Sequence, residues 1–135
     1  MEWVFDTSVA MAWCFDDECT PRTEALLEKL ELQSVIVPGH WSLEVANVLA
    51  IATKSGRISP AKRTAFIRMF DAFSIHVDPE THSLAWSDIL RLADSCRLTS
   101  YDAAYLELAM RIGVPLATND EALKKAAKVN GVALL

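Results

Sequence analysis

The chain of 135 residues is poor in several features that mark particular classes of protein. It has no uncharged apolar run of about 18 residues, so we expect no membrane-spanning helix. Residues 1–6 contain no basic leader, so we expect no export. The three cysteines are odd in number and lack CxxC spacing, which predicts reduced thiols in a cytoplasmic protein. The four scattered glycines exclude a glycine-rich nucleotide-binding loop, and the three histidines form no zinc-binding pattern.

Positive charge is scarce overall but concentrated in one segment. Thirteen Lys and Arg against 18 Asp and Glu give a formal net charge of −5, which argues against binding nucleic acid through bulk positive charge. Residues 45–70, however, contain no acid. This basic segment is either an ordinary solvated pair of helices or a binding surface. It carries Lys54, Arg57, Lys62, Arg63 and Arg68.

Short apolar runs alternate with longer segments of helical periodicity, which predicts an α/β fold with a mostly parallel sheet. The composition, 52% hydrophobic and 23% charged, is typical of a globular protein, and we expect residues 1–135 to form one domain. The predicted strands are residues 3–5, 34–37, 75–77 and 114–117, with a last short strand at residues 132–135. The predicted helices cover 8–15, 41–53, 99–113 and 120–129, with further starts at Thr20-Pro21, Ser59-Pro60 and Asp78-Pro79.

The apolar residues of the helices predict which faces are buried. Residues 41–53 are apolar almost all round, which predicts a helix buried on every side. In the helix after Ser59, the inward residues are expected to be Phe66, Ile67 and Phe70. In the helix after Asp78, they are expected to be Leu84, Ile89, Leu90 and Leu92.

Two aspartates follow predicted strands. Asp6 comes directly after the first strand, and Asp120 lies just beyond the fourth. Because the carboxyl ends of parallel strands meet at one edge of the sheet, where α/β proteins carry their sites, we expect the two carboxylates at the same edge. Asp is also a frequent helix N-cap at such a turn, and that interpretation stays open for both.

Glu44 is the sole Asp, Glu, Lys or Arg in residues 32–53. An apolar helix around it predicts a partly buried carboxylate, which needs a cation, a metal ion or a proton. No Lys or Arg lies one turn away. The alternative is an exposed stripe on a half-buried helix.

Asp102 lies in the first turn of a predicted helix of small apolar residues. Such a helix can pack close to the sheet and hold a first-turn carboxylate near the strand ends. Thr99 and Asp102 also have the spacing of a capping box, so a purely local role stays open.

If these four acids converge, they predict a metal site. Like charges about 4 Å apart repel by roughly 4 kcal/mol at an effective dielectric of about 20, so a cation or a shared proton must hold them together. Oxygen ligands favour Mg²⁺ or Mn²⁺, which commonly bind substrate phosphates and support phosphodiester cleavage. Ser8, Asn47 and Thr118 are candidates for bonding the metal waters or the carboxylates.

Four motifs together resemble the PIN domain and, within it, the VapC toxins of bacterial and archaeal toxin–antitoxin pairs. They cover the whole chain in the order and spacing of that family. The motifs are Asp6-Thr7-Ser8, Glu44 with Asn47, residues 100–106 (SYDAAYL) and residues 117–123 (ATNDEAL).

The resemblance implies a single-domain α/β/α sandwich and an endoribonuclease dependent on Mg²⁺ or Mn²⁺. The acidic residues of the family map to Asp6, Glu44, Asp102 and Asp120, with Asp6 and Asp102 as direct ligands and Asp120 as the variable member. The family hydroxyls fall on Ser8 and Thr118. The resemblance also implies a homodimer and a small antitoxin that covers the site. The basic segment would then position RNA phosphates or bind a partner.

Two other classes of function are open. One is a PIN-like domain that keeps the fold but acts only as a scaffold. The other is a receiver-like, Mg²⁺-binding signalling module, which needs a phosphoacceptor Asp after a central strand and a Lys after a later one. Asp78 follows the third strand, but Pro79 indicates a helix start, and residues 118–120 contain no Lys.

Overall fold

Parallel strands form the centre of the molecule in the computed structural model, which describes residues 2–135. Strand β1 (Val4–Phe5) pairs with β4 (Leu116–Ala117), and β2 (Val35–Val37) pairs with β3 (Ile75–Val77), both in parallel. The backbone N–H of Ile36 donates to the carbonyl of Trp3 over 3.0 Å, which joins β2 to β1. The strands form two parallel pairs, β1–β4 and β2–β3, which this hydrogen bond connects, and the predicted mostly parallel arrangement is confirmed.

The helices alternate with the strands along the chain and complete the predicted α/β/α sandwich. A 3-10 turn, Asp16–Glu18, follows the first helix, and a π turn, Ala85–Ile89, lies between the fifth and sixth. The helices are α1 (Thr7–Cys14), α2 (Pro21–Leu32), α3 (Trp41–Lys54), α4 (Pro60–Ala72), α5 (Thr81–Leu84), α6 (Leu90–Cys96), α7 (Ser100–Ile112) and α8 (Glu121–Val129).

The helix starts predicted from a hydroxyl followed by proline are present at α2 and α4. The Thr20 side chain accepts from the N–H of Thr23, and the Ser59 side chain accepts from the N–H of Lys62. Proline fits the first turn of a helix, because the backbone N–H groups of that turn have no hydrogen-bond partner within the helix. Helix α7 ends at Gly113, where φ is +70°, a conformation that glycine adopts without steric cost.

The main core lies between the sheet and α1, α3 and α7. Strand β1 is completely buried, as expected of a central parallel strand. Aromatic rings fill much of the space beside it: Phe5 packs edge-on against Trp41, with ring centroids 5.4 Å apart. Helix α7 contributes Tyr105, Leu106 and Leu108, which are all essentially inaccessible to solvent. This packing fixes the positions of α1, which follows Asp6, of α3, which carries Glu44, and of α7, which carries Asp102.

The prediction that residues 41–53 form a helix buried on every side is wrong. Helix α3 is amphipathic, because Leu43 is 74% exposed and Ile51 is 59% exposed. The buried residues follow the helical period of 3.6 and occupy one face. They are Trp41, Val45, Leu49 and Ala52.

Two predicted inward residues, Ile67 and Leu90, point outward. In α4, Phe70 is buried and Phe66 packs against the core, whereas Ile67 is rotated by about 100° from Phe66 and is 46% exposed. Before α6, the π turn inserts an extra residue into the helical repeat and changes its phase. Ile89 is therefore buried, and Leu90 is 45% exposed.

Asp78 does not begin a helix, contrary to the sequence prediction. Helix α5 begins at Thr81, and Asp78 lies after β3, where its N–H donates to the carbonyl of Val37 over 2.8 Å. Its carboxylate is 4% exposed and accepts from Arg111 Nη2 at 2.7 Å and from the Thr81 hydroxyl at 3.2 Å. The tertiary ion pair with Arg111, 33 residues away, therefore replaces the predicted cap.

The last two predicted strands are shorter than expected. Strand β4 contains only Leu116–Ala117, since Pro115 has no N–H to donate, although its carbonyl accepts from Val4. Residues 132–135 form a single parallel bridge, between Leu134 and Leu116, instead of a regular strand. Cys14, Cys19 and Cys96 are free thiols. No helix within residues 2–135 is both long and apolar enough to cross a membrane.

Candidate active site

Asp6 lies at the carboxyl end of β1 and is 4% exposed. Its N–H donates to Ala117 over 3.2 Å, so the β1–β4 ladder fixes its backbone. The Ser8 hydroxyl donates to Oδ1 and the Thr118 hydroxyl donates to Oδ2, each over 2.5 Å. The N–H of Val9 also donates to Oδ1, at 3.3 Å, so Asp6 caps α1 as well. Both open interpretations therefore hold: the carboxylate is a helix cap and stands at the edge of the sheet.

The loop after β4 supports this arrangement. The N–H of Asn119 donates to Ser8 Oγ over 2.9 Å, and the N–H of Asp120 donates to Thr118 Oγ1 over 3.0 Å. Both hydroxyls thus accept one hydrogen bond from the loop and donate another to Asp6. Asp120 caps α8 through the N–H of Leu123, at 3.0 Å.

Glu44 is half-buried in the first turn of α3, and its hydrogen bonds converge on one oxygen. Oε1 accepts from Thr7 Oγ1 at 3.1 Å and from the hydroxyl of Tyr105. His40 Nε2, one turn earlier on the chain, lies 3.3 Å from the same oxygen. Burial opposes ionisation, but the hydrogen bonds from His40 and Tyr105 outweigh it and lower the pKa of Glu44 below its ordinary value.

Asp102 is the acid that connects the other three electrostatically. Its N–H is capped by the Thr99 hydroxyl at 3.1 Å, which places the carboxylate in the first turn of α7. Burial raises its pKa, and the negative charges of Asp120 and Glu44 raise it further. Asp102 therefore interacts electrostatically with each of the other three predicted acids.

The pKa of Asp6 is raised, mainly by burial. It rises from 3.8 to about 6, because burial raises it by more than the hydrogen bonds from Ser8, Thr118 and Val9 lower it, and the charge of Asp102 adds to the rise. Within residues 2–135, no Lys or Arg forms an ion pair with Asp6, Asp102 or Asp120. Negative charge therefore accumulates around these three acids without a Lys or Arg side chain to balance it.

The chemistry of these donors fits Mg²⁺ or Mn²⁺. All the side chains concerned offer hard oxygen atoms, the ligands that these ions prefer. Among the described residues, no three acidic, His or Cys side chains stand close enough together to act as direct ligands of one ion. Magnesium keeps several waters and is commonly held by only one or two carboxylates, so it does not need three direct ligands from the protein.

Several residues of the site were not predicted from the sequence. His40 could have been found from its i, i+4 spacing to Glu44, and Tyr105 lies one turn after Asp102. Arg22 of α2 gave no local signal: it donates to Asn119 Oδ1 at 2.8 Å and to the carbonyl of Thr118 at 3.2 Å, from 97 and 96 residues away.

Only two of the three predicted supporting polar residues contact an acid of the site. Ser8 and Thr118 contact Asp6, whereas Asn47 is exposed on α3. Lys54 ends α3 about 15 Å along the helix from Glu44, at a rise of 1.5 Å per residue. Arg57 is engaged by Asp17 and Glu18 at 2.8 and 3.0 Å.

A comparison with known families decides how the fold is classified. The model of the PIN domain matches residues 3–129. The chain belongs to the PIN domain family. No curated protein matches it significantly by sequence.

Solved structures of similar fold agree with this family. PAE2754 from Pyrobaculum aerophilum is 23% identical with a TM-score of 0.71, over 99% of this chain and 83% of that one. VapBC2 from Rickettsia felis, bound to a DNA fragment from their promoter, is 11% identical with a TM-score of 0.70, over 100% and 98%. FitAcB from Neisseria gonorrhoeae is 16% identical with a TM-score of 0.61, over 98% and 96%. At these identities the likeness shows the PIN fold alone.

Proposed function

We propose that this PIN domain is a cytoplasmic endoribonuclease dependent on Mg²⁺ or Mn²⁺ and the toxin of a VapBC-type toxin–antitoxin pair. The observation that carries the proposal is the pair Asp6 and Asp102. Burial and the negative charge of a neighbouring acid raise the pKa of each carboxylate, and neither forms an ion pair with a Lys or Arg among residues 2–135. A divalent cation relieves this repulsion and supplies the counter-charge that a phosphate substrate needs.

Each acid has its own part in this proposal. Asp6 and Asp102 would hold the ion directly, and Glu44 and Asp120 would hold it directly or through its waters. The chemistry supplied by a bound ion would be an activated water and neutralisation of charge on the phosphate. Ser8 and Thr118 fix both oxygens of Asp6, so little reorganisation is needed when substrate binds. RNA is cleaved by hydrolysis of the phosphodiester bond without a covalent intermediate on the enzyme.

A protein partner is part of the proposal. The resemblance of the four motifs to the VapC toxins implies such a partner, and VapBC2, one of the structures of similar fold, is bound to a DNA fragment from their promoter. By analogy, we propose a small VapB-like antitoxin that covers the acidic site with a basic side chain, and a homodimer of this chain. The receiver-like alternative is not favoured, because Asp78 is buried in an ion pair with Arg111.

The test is cleavage of RNA by the purified protein with Mg²⁺ or Mn²⁺ and after EDTA. We expect cleavage with metal, none with EDTA, and recovery when Mn²⁺ is restored. Asp6→Asn and Asp102→Asn should each lower the rate by at least about a hundredfold while circular dichroism still shows the native fold. Asp94→Asn changes an exposed acid on α6 and is the matched control, with an unchanged rate.

Three outcomes contradict the proposal. Cleavage that persists in EDTA excludes the metal mechanism. Full activity of Asp102→Asn excludes the assigned acid. A folded protein that binds Mn²⁺ but cleaves no RNA in any metal is the scaffold that the sequence left open. The toxin assignment is tested separately, by growth arrest on induction and its rescue by the product of a short neighbouring reading frame.

A further inference from the structure

Three side chains contact the same carboxylate oxygen of Glu44. Thr7, Tyr105 and His40 all lie within hydrogen-bonding reach of Oε1. Within residues 2–135, Oε2 accepts no hydrogen bond. The two oxygens of Glu44 therefore differ: one is tied to the protein and the other keeps its lone pairs.

Tyr105 is the most deeply buried of the three donors. Its side chain is 1% exposed, and its ring packs edge-on against the His40 ring at 5.1 Å. Its hydroxyl also lies 3.1 Å from Thr7 Oγ1, so the phenol connects α1, α3 and α7. A buried phenol needs a hydrogen-bond partner, and Glu44 supplies it.

Tyr105 also shares a helix face with Asp102. The two residues are three apart on α7, which places their side chains on the same side of the helix. The helix that presents the Asp102 carboxylate therefore also holds the Glu44 carboxylate. This link fixes the relative position of two acids that lie on different helices, α3 and α7.

We propose that Tyr105 is a positioning residue that binds Glu44 Oε1 and so presents Oε2 to the divalent cation or to one of its waters. The inference rests on the proposed function, since it assumes that the acids hold a cation. Tyr105 acts through Glu44 and touches neither metal nor RNA. Its hydroxyl sets the orientation of the carboxylate, and orientation of this kind controls metal affinity.

The test uses the full chain and free Mn²⁺, measured by electron paramagnetic resonance, with no RNA present. Tyr105→Phe removes one oxygen atom and keeps the packed ring. We expect it to weaken Mn²⁺ binding by about tenfold, the lower range for residues that support a metal ligand. Tyr101→Phe is the matched control, because Tyr101 is the other tyrosine of α7 and its side chain is exposed. The Mn²⁺ affinity of this variant should equal that of wild type.

A double-mutant cycle separates positioning from a general effect on stability. In the Glu44→Gln background, Tyr105→Phe should have no further effect on Mn²⁺ affinity, because the group through which it acts has changed. Thr7→Val removes a second donor to Oε1 and should weaken binding in the same direction. It serves as the replacement if Tyr105→Phe does not fold.

The results overturn the inference in three cases. One is an unchanged Mn²⁺ affinity in folded Tyr105→Phe, which leaves the phenol a packing role only. Another is a tenfold loss that persists in the Glu44→Gln background. The third is a wild-type protein that binds no Mn²⁺. RNA cleavage is measured in parallel, so that a protein with the expected Mn²⁺ pattern and no cleavage contradicts the proposed function while the positioning role stands.

Discussion

The Thr118 hydroxyl donates to Asp6 Oδ2 over 2.5 Å, although 112 residues separate the two along the chain. The contact exists because β1 and β4 are parallel neighbours, which brings their carboxyl ends together. It orients a buried carboxylate, yet it only partly offsets the cost of burial, since the pKa of Asp6 still rises to about 6. That residual cost is measurable.

Asp6 makes stability depend on pH in the absence of metal. Its pKa is about 6 in the folded protein against an ordinary value of 3.8, so the folded state binds the proton more tightly. The stability associated with this proton is complete below pH 3.8 and is lost as the pH rises through 6. In urea unfolding with EDTA, we expect wild type to lose roughly 2 kcal/mol more than Asp6→Asn between about pH 4.5 and about pH 7.5.

The same titration has a clear control. Asp94→Asn should keep the wild-type pH dependence, because residue 94 is exposed. Identical curves for wild type and Asp6→Asn would mean that the Asp6 pKa is close to its ordinary value, and the electrostatic argument for a cation would lose its main support.

The ion pair between Asp78 and Arg111 should be among the most important polar contacts for stability. Arg111 also contacts Glu107, which is 7% exposed, at 2.8 Å. Arg111→Met leaves two buried carboxylates without their cation, and we expect it to lower the free energy of unfolding by about 3–5 kcal/mol. Chemical denaturation measures the loss.

Glu80 provides the matched variant for this network. It contacts the same guanidinium at 3.1 Å, but its side chain is 63% exposed. Glu80→Gln should therefore cost less than about 1 kcal/mol. Equal losses for Arg111→Met and Glu80→Gln would show that burial does not determine the strength of these pairs.

The sequence predicted the strand ends better than the contacts between them. Asp6 and Asp120 were placed at one sheet edge because parallel strands share the polarity of their ends, and this follows from alternation of strands and helices alone. Asp78 satisfied a local rule for helix starts, yet a contact with Arg111 determined its structure. Local sequence patterns contain no information on such competition from a residue that is distant along the chain.

Arg22 is expected to support the active site from α2. It holds the carbonyl of Thr118 and the side chain of Asn119, and these residues in turn contact Asp6 and Ser8. If the protein is the proposed ribonuclease, Arg22→Met should lower kcat several-fold with little change in KM for RNA. Steady-state kinetics on a short RNA measure both.

Lys29→Met is the comparison for Arg22→Met, because it removes a cation from the same helix that makes no such contacts. Its kcat should equal that of wild type. A rise in KM with unchanged kcat in Arg22→Met would instead assign Arg22 to RNA binding.

The basic segment remains a prediction, and salt dependence tests it. Lys62→Ala with Arg63→Ala should weaken RNA binding and flatten its dependence on salt, by about 0.7 in slope for each phosphate of single-stranded RNA that the variant no longer neutralises. Arg57→Ala should leave the slope unchanged, since Asp17 and Glu18 already engage that cation. An unchanged slope in the double variant would favour a surface for a protein partner.

The sequence also did not predict which side chains of a helix are exposed. The composition of α3 indicated burial on all sides, but a helix at the surface of one sheet can cover only one face, and Leu43 and Ile51 are left exposed. Tyr105 was not predicted, because a phenol leaves no pattern of opposite charge around Glu44, and His40 was missed although it lies one turn before Glu44. Their roles depend on three helices meeting, which periodicity does not reveal.

The central claim is that the acids at this sheet edge hold a divalent cation, and a crystal grown with Mn²⁺ tests it most directly. Anomalous scattering locates manganese without reference to activity. The account predicts a peak among Asp6, Glu44, Asp102 and Asp120, at about 2.0–2.6 Å from an oxygen of one or two of them. A crystal in which manganese occupies other positions and this edge shows no anomalous signal would contradict it.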